Sequence, residues 1–540
     1  MLTTMQDRQL TVHSIFHHGA TIYSDSRIAA FDGDRVRGTT YGEIAARTAR
    51  LAAGLRRLGI RPGDRVGSFC WNIPEHLEAY FAIPSMGAVL HTLNVRLFPE
   101  QLAYIVNHAG DRIILVDAVL VPVLARAAPE FKTVERYIII GKEHDPGGLP
   151  RECIDYEEMV ARGPACYDWP ESDERAAAVM CYTSGTTGNP KGVAYSHRSI
   201  FLHSMAVNSA NGVGLSHKDR VLMVPAMFHA NAWGLPHAAW LAGCDCMFPG
   251  RFLQGAPLCR LIQEERPTVS AGVPSIWAEI LRCADALHAD LSSLRLVFCG
   301  GSAVPRSLIE HFQDRHGVRI VQAWGMTETS PLMALAHPPK DCPPEKEIEY
   351  RAKTGRLLAG VELRIVSEGE VMPSDGESVG EIEARGPWVT GAYCGEDADE
   401  KFHDGWLRTG DVGTLDARGY IQIKDRTKDV IKSGGEWVSS IDLENAIMAH
   451  PAVLEAAVIG VPDPRWDERP LACVVLKGEV SATASELRTF LEGRVVKWWI
   501  PERWAFLAEI PKTSVGKFDK KLLRSQQAEG ALAVVDALGG

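Results

Sequence analysis

No stretch of the 540 residues approaches the run of about 20 consecutive apolar residues that a membrane-spanning helix needs, and the first residues lack the charged-then-apolar pattern of a leader. The expected location is the cytoplasm. Positive charge is in short supply: 57 Lys and Arg against 68 Asp and Glu leave a net charge of −11, with no basic stripe to hold a nucleic acid. The 12 cysteines show no paired spacing, and the one close pair, Cys244 and Cys246, has no histidine cluster beside it. A disulfide framework and a zinc knuckle are therefore excluded, and the cysteines read as reduced core residues. Tandem repeats and low-complexity tracts are absent. A Walker A loop is missing as well, because Gly185 would require a second glycine at position 190, where the chain has Pro190.

What is present is enough apolar material, 46% of a long chain, for several compact units. Short β-branched runs at 112–117, 136–140, 221–224, 268–271, 294–299 and 318–322 alternate with amphipathic stretches. That alternation predicts an α/β fold of parallel sheets covered by helices. Residues 40–58 illustrate a helix: a Thr40 cap is followed by Ile44, Thr48, Leu51, Leu55 and Leu58 at three-to-four-residue spacing. From 361 to 424 the pattern changes to alternating strands with glycine turns, predicting a smaller, partly antiparallel β unit. Polar residues at 425–430 then suggest a hinge between a large domain, 1–424, and a small, mobile α+β domain, 431–540. In the latter a helix is expected at 441–448, strands at 456–459 and 471–476, a helix at 484–495 and a strand at 504–506.

The most chemically loaded stretch follows the apolar run ending at Cys181. It holds Thr183, Ser184, Gly185, Thr186, Thr187, Gly188 and Lys191 within nine residues. Glycines let backbone N–H groups turn inward on an anion, hydroxyls add short hydrogen bonds and the lysine adds a mobile charge, so the loop is suited to phosphate. Four further stretches stand in order behind it: Val-Pro-Ala-Met-Phe-His-Ala-Asn-Ala-Trp at 224–233, Gln-Ala-Trp-Gly-Met-Thr-Glu at 322–328, Trp-Leu-Arg-Thr-Gly-Asp at 406–411 continuing into 423–437, and Pro-Lys-Thr-Ser-Val-Gly-Lys at 511–517.

Together these stretches resemble the acyl-adenylate-forming enzymes, the superfamily of acyl-CoA synthetases, peptide-synthetase adenylation domains and luciferases, over about residues 40–523. The resemblance implies ATP, Mg²⁺ and CoA as cosubstrates and cofactors, a small carboxylic acid as substrate, and a homodimer. It implies that the phosphates lie on Thr183 to Lys191, and that Thr183 and Glu328 hold the metal, both being oxygen donors of the kind a hard cation prefers. Gly300, Gly301, Gln322, Ala323, Trp324, Gly325 and Thr327 would form the nucleotide slot. The family usually has tyrosine where this chain has Trp324, so stacking survives but a phenolic hydrogen bond does not. Asp411 matches the ribose carboxylate, and Arg426, Lys428, Lys432 and Trp437 match residues of the hinge side that reach the nucleotide. Lys517 matches the mobile lysine that meets the α-phosphate during adenylation and withdraws as the small domain rotates about Asp425.

Within the family, the stretch at 224–233 is most similar to that of soluble bacterial medium- and long-chain fatty acyl-CoA synthetases, with 3-methylmercaptopropionyl-CoA ligases as a sister group. There His229, Ala230 and Trp233, with Gly300, Gly301 and Gly325, would face the acid, and the tryptophan would close the acyl tunnel until ATP binds. His229 is also a candidate catalytic residue. No Arg or Lys occurs at 226–234, 273–277 or 331–335 to pair a second carboxylate, so the expected acid is apolar. Carrier loading is the rival reading, but no carrier segment follows Lys517.

Overall fold

A computed structural model of the chain describes residues 3–141, 147–164, 166–183, 189–395, 399–433, 436–478, 480–513 and 517–537. The expected apolar runs form strands, among them Asp111–Asp117, Arg136–Ile140, Leu296–Gly300 and Ile320–Gly325. The expected helix is Tyr41–Arg57. Thr40 and Glu43 close its first turn reciprocally, and Ile44, Thr48, Leu51 and Leu55 are buried. All the cysteines are free; seven are buried as core residues, whereas Cys153, Cys283, Cys342 and Cys394 are half-buried and Cys166 is exposed, against expectation.

Two parallel sheets build most of the molecule. The first runs Glu152–Asp155, Arg136–Ile140, Asp111–Asp117, Arg65–Phe69, Val89–Thr92, Ala177–Tyr182 and Gly192–Ser196. Every neighbouring pair is parallel except the last, which is antiparallel and brackets the 183–191 loop. The second sheet has a parallel middle of Ile320–Gly325, Leu296–Gly300, Val269–Gly272, Arg220–Leu222, Asp245–Phe248 and Arg27–Phe31. The register pairs Gly272 with Cys299 and Gly300 with Ala323, so three carboxyl ends stop at one edge. In open α/β sheets that edge is where ligands bind.

The strands at 361–424 are antiparallel, as expected, but they do not stand apart. Gly355–Leu357 pairs with Tyr420–Arg426 on one side and Leu332–Leu335 on the other, which makes one sheet of 15 strands. The Tyr420–Arg426 strand also runs through the first two residues of the expected hinge, and Asp425 stands opposite Val412 in the sheet.

Beyond it lies a six-stranded sheet with its own core of Ile431, Val438, Leu443, Val458, Val474, Leu487 and Trp504. Helix Ser440–Met448 and strand Arg503–Phe506 fall where the sequence places them, and the helix expected at 484–495 is Ala484–Leu491, four residues shorter. The strand expected at 456–459 is longer, Val453–Asp463, because it forms a hairpin with Asp467–Leu476 whose hydrogen bonds carry on past the buried residues. Among the described residues no helix is long and apolar enough to cross a membrane.

Candidate active site

The floor of the cleft is made where strands of the large sheet end, and it needs glycine. A methyl group on Gly300 would stand 2.4 Å from the Ala323 carbonyl oxygen, and one on Gly325 would stand 1.9 Å from that of Pro331. Gly301 takes a φ of 84°, in the left-handed region that favours glycine. The Gln322 side-chain oxygen accepts from Val304 N at 2.9 Å and so braces the loop that Gly301 opens. Ala323 contributes backbone only, its side chain being buried in the core.

Glu328 sits in the short turn Thr327–Thr329. Its Oε1 accepts from the Tyr393 hydroxyl at 2.7 Å, its backbone oxygen accepts from Thr390 N at 2.8 Å, and the Tyr195 hydroxyl donates to Thr327 O at 2.6 Å. The Lys191 ammonium lies over the Tyr393 ring, 4.9 Å from its centre. Thr183 and Lys191 close the neck of the 183–191 loop: Thr183 N donates to Lys191 O at 2.9 Å, and Lys191 N donates to Thr183 Oγ1 at 3.1 Å. Tyr393 thus joins Lys191 of that loop to Glu328. Ser184, Gly185, Thr186, Thr187 and Gly188 lie outside the described residues.

Asp411, buried in its strand, is held from two sides. Arg426 Nε lies 2.7 Å from Oδ1, and the Trp324 indole N–H donates to Oδ2 at 2.9 Å. The exchange of tyrosine for tryptophan therefore does more than keep a stacking surface, since the indole supplies a donor of its own to the carboxylate. Lys517, from the end of the chain, reaches this cleft. A methyl group on Gly301 would stand 3.8 Å from both Lys517 Cε and Trp233 Cζ2. Burial pulls the Lys517 pKa down to about 8. Arg426 and Lys428 act in the same direction, and Asp411 and Glu328 oppose them.

His229 lies beside it, and its pKa falls to about 4, through burial first and then through Lys517 and Arg96. At neutral pH the imidazole is uncharged and does not compete with Lys517 for an anion. The next residues form a left-handed turn: Ala230, Asn231, Ala232, Trp233 and Gly234 have φ of 43°, 51°, 48°, 61° and 76°. Such a conformation costs roughly 1–2 kcal/mol for each residue other than glycine. The turn is held by Cys181 Sγ donating to Asn231 Oδ1 at 3.4 Å, and it lays the Trp233 ring against Phe298.

These are the features of a nucleotide cleft at a strand-end edge, lined by an oxygen-rich loop and carrying a late lysine, and their order along the chain matches a known family. The description AMP-binding enzyme covers residues 16–394, and AMP-binding enzyme C-terminal domain covers 442–517. The chain belongs to the AMP-binding enzyme family. It is 43% identical to the 3-methylmercaptopropionyl-CoA ligase of Ruegeria pomeroyi over 97% of this chain and 99% of that protein. It is 44% identical to the long-chain-fatty-acid–CoA ligase of Thermus thermophilus over 97% of each. Among solved structures, the anthranilate CoA ligase AuaEII in complex with anthranoyl-AMP superimposes with a TM-score of 0.88 at 26% identity, over 98% of this chain and all of that one.

For a member of the AMP-binding enzyme family the donor set also fits the metal. Among the described residues no group of three or more His, Cys, Asp or Glu side chains could cage an ion. Thr183 and Glu328 offer two hard oxygens, and Mg²⁺ takes most of its remaining ligands from water and substrate phosphates, so two suffice. Of the other expected residues, Lys428 acts on the Lys517 charge. Lys432 and Trp437 pair with each other in the six-stranded sheet; the Lys432 side chain is exposed, and no described hydrogen bond or ion pair joins it to the cleft. Sequence reasoning missed Tyr195, in the strand Gly192–Ser196, and Tyr393, since an aromatic hydroxyl carries no local mark of the backbone oxygen or the carboxylate it will meet. It also missed the left-handed turn, for which Asn231 and Gly234 were the only local signs.

Proposed function

We propose that the chain is an ATP-dependent acid–thiol ligase. It activates an apolar carboxylic acid, of the medium- to long-chain fatty type, as acyl-AMP and then passes the acyl group to CoA. In the first step a carboxylate oxygen bonds to the α-phosphorus and the bond to pyrophosphate breaks. In the second the CoA thiol attacks the acyl carbon, its proton leaves to solvent and AMP departs. The observation that carries this reading is the meeting of Lys517 with Gly301, Trp233 and the Asp411–Arg426 pair in one cleft.

In this reading Asp411 accepts the ribose hydroxyls, Trp324 and the Gly300–Gly301 backbone form the adenine slot, and Lys517 meets the charge that grows on the α-phosphate. Thr183 and Glu328 hold Mg²⁺, which neutralises phosphate charge when bound. His229, Ala230 and Trp233 border the acid. Val273, which would touch a methyl on Gly301, gives that side an apolar lining. The large domain, residues 1–424, binds the nucleotide, 425–430 is the hinge, and 431–540 carries Lys517 in and out. A cytoplasmic homodimer belongs to the same proposal.

A second acid, 3-methylmercaptopropionate, is supported by the 43% identity to a ligase of that name. The test is AMP release across saturated acids from acetate to stearate, with methylmercaptopropionate, a dicarboxylate and an aryl acid alongside. The expected profile peaks on one apolar acid and rejects the dicarboxylate. A flat profile contradicts the assignment, and a sharp optimum at methylmercaptopropionate selects the second acid.

A further inference from the structure

The contact between the six-stranded unit and the large sheet converges on a half-buried lysine that the chemistry above does not use. Lys520 opens the helix Lys520–Ala528, three residues after Lys517. Its ammonium lies 2.7 Å from Glu444 Oε1 and donates to Ser440 Oγ at 2.5 Å. Glu444 Oε1 is also fixed by Val458 N at 2.8 Å, so this carboxylate belongs firmly to the small unit. Ser440 faces the other way, its backbone N–H donating to Asp425 Oδ2 at 2.9 Å. Asp425 is a residue of the large sheet, paired with Val412, and its other oxygen accepts from Arg426 N at 2.8 Å. A chain of polar contacts therefore runs from Glu444 through Lys520 and Ser440 to Asp425, with one cation set among two buried carboxylates. A second tie stands beside it, where the Ser439 hydroxyl donates to Lys424 O at 2.6 Å.

The position of Lys517 depends on the same helix. Thr513 N donates to Lys517 O at 2.7 Å, Lys512 pairs with Phe518, and Asp519 N donates to Pro511 O at 2.8 Å. Lys517 thus stands just ahead of the first turn of the Lys520 helix, tied through its neighbours to residues 511–513. Asp425 also stands next to Arg426, which holds Asp411 in the cleft. The polar chain therefore touches the site at two points, at Lys520 three residues after Lys517 and at Asp425 next to Arg426.

We infer that Lys520 is a positioning residue: by joining Glu444 to Ser440, whose backbone N–H in turn bonds Asp425, it latches the small unit to the large sheet in the orientation that delivers Lys517 to the nucleotide cleft. The inference rests on the adenylation reading above. It makes Lys520 important for acyl-adenylate formation, where Lys517 must be in the cleft, and dispensable for thiol transfer, where it is withdrawn. Lys512 with Glu455 also pairs within the small unit, but no described hydrogen bond carries that pair on to the large sheet.

The test compares the two half-reactions in the full chain. ATP–pyrophosphate exchange with octanoate reports adenylation, and octanoyl-CoA formation from supplied octanoyl-AMP reports transfer. Lys520→Gln is expected to lower exchange about 10²-fold, the scale of a misplacement of about 1 Å in a site, while transfer stays near the wild-type rate and Lys520→Arg recovers most of the exchange. Unchanged exchange in Lys520→Gln, or an equal loss of both half-reactions at an unchanged melting temperature, overturns the latch. If Lys520→Gln does not fold, Asp425→Asn decides. It keeps an acceptor for Ser440 N and removes the charge, so a selective loss of exchange supports the latch and no selective loss overturns it. A wild-type protein that forms no adenylate with any acid defeats the proposed function instead.

Discussion

Trp324 shows how a single side chain departs from its family pattern and is put to use. Its indole N–H reaches Asp411 at 2.9 Å, a hydrogen bond to a charged acceptor that is buried on all sides. Such bonds contribute about 1.5–3 kcal/mol, so Trp324→Phe, which keeps the stacking face, is expected to raise the KM for ATP about tenfold or more with a smaller change in kcat. An unchanged KM would mean that Arg426 alone orients the carboxylate.

Lys517 carries a pH consequence. Its pKa is drawn from the usual 10.5 down to about 8, chiefly by burial, so the ammonium is charged below pH 8 and loses its proton above it. The kcat/KM for ATP reports the free enzyme, and in the adenylation half-reaction it should be level from pH 6.5 to 8 and then fall by about tenfold per pH unit. A profile level to pH 10 would show that no such lysine is required.

Among the elements, the ends of the strands matter more than their middles. Gly300→Ala would drive a methyl to 2.4 Å from a backbone oxygen that cannot rotate away. Overpacking of that kind costs about 1–3 kcal/mol, and the expected result is a lower urea midpoint together with weaker ATP binding, because the displaced strand end is the proposed adenine shelf. Retention of both properties would place the shelf elsewhere.

How much of these elements the sequence discloses follows from the range of the forces that make them. Helix Tyr41–Arg57 is legible because its cap and its apolar stripe lie within 17 residues. The strands are legible as apolar runs, though their ends shift by up to four residues, since a strand ends where its neighbour stops pairing. The joining of the 361–424 strands to the large sheet is not legible, because it depends on Gly355 meeting Ile421, residues that no local pattern links. The same holds for Trp324 and Asp411, which are 87 positions apart.

On the scale of the whole molecule, two structures meet over one cleft. The large sheets supply a floor of glycines, a carboxylate held from two sides and an oxygen-rich loop, and the six-stranded unit supplies one lysine. The sequence placed Lys517 in the cleft by resemblance alone, since a lysine followed by Lys520, Lys521 and Arg524 reads locally as a solvated charge. Its approach to Gly301, and the charges of Arg426, Asp411 and Glu328 that act on it, distinguish it from its neighbours.

The most direct measurement is ATP–pyrophosphate exchange by Lys517→Ala beside the wild type, with thioester formation from supplied acyl-AMP measured on the same preparations. Loss of one preorganised transition-state contact typically lowers a rate by about 10² to 10³, so exchange should collapse on that scale while thioester formation persists. Exchange at the wild-type rate in Lys517→Ala would contradict the account.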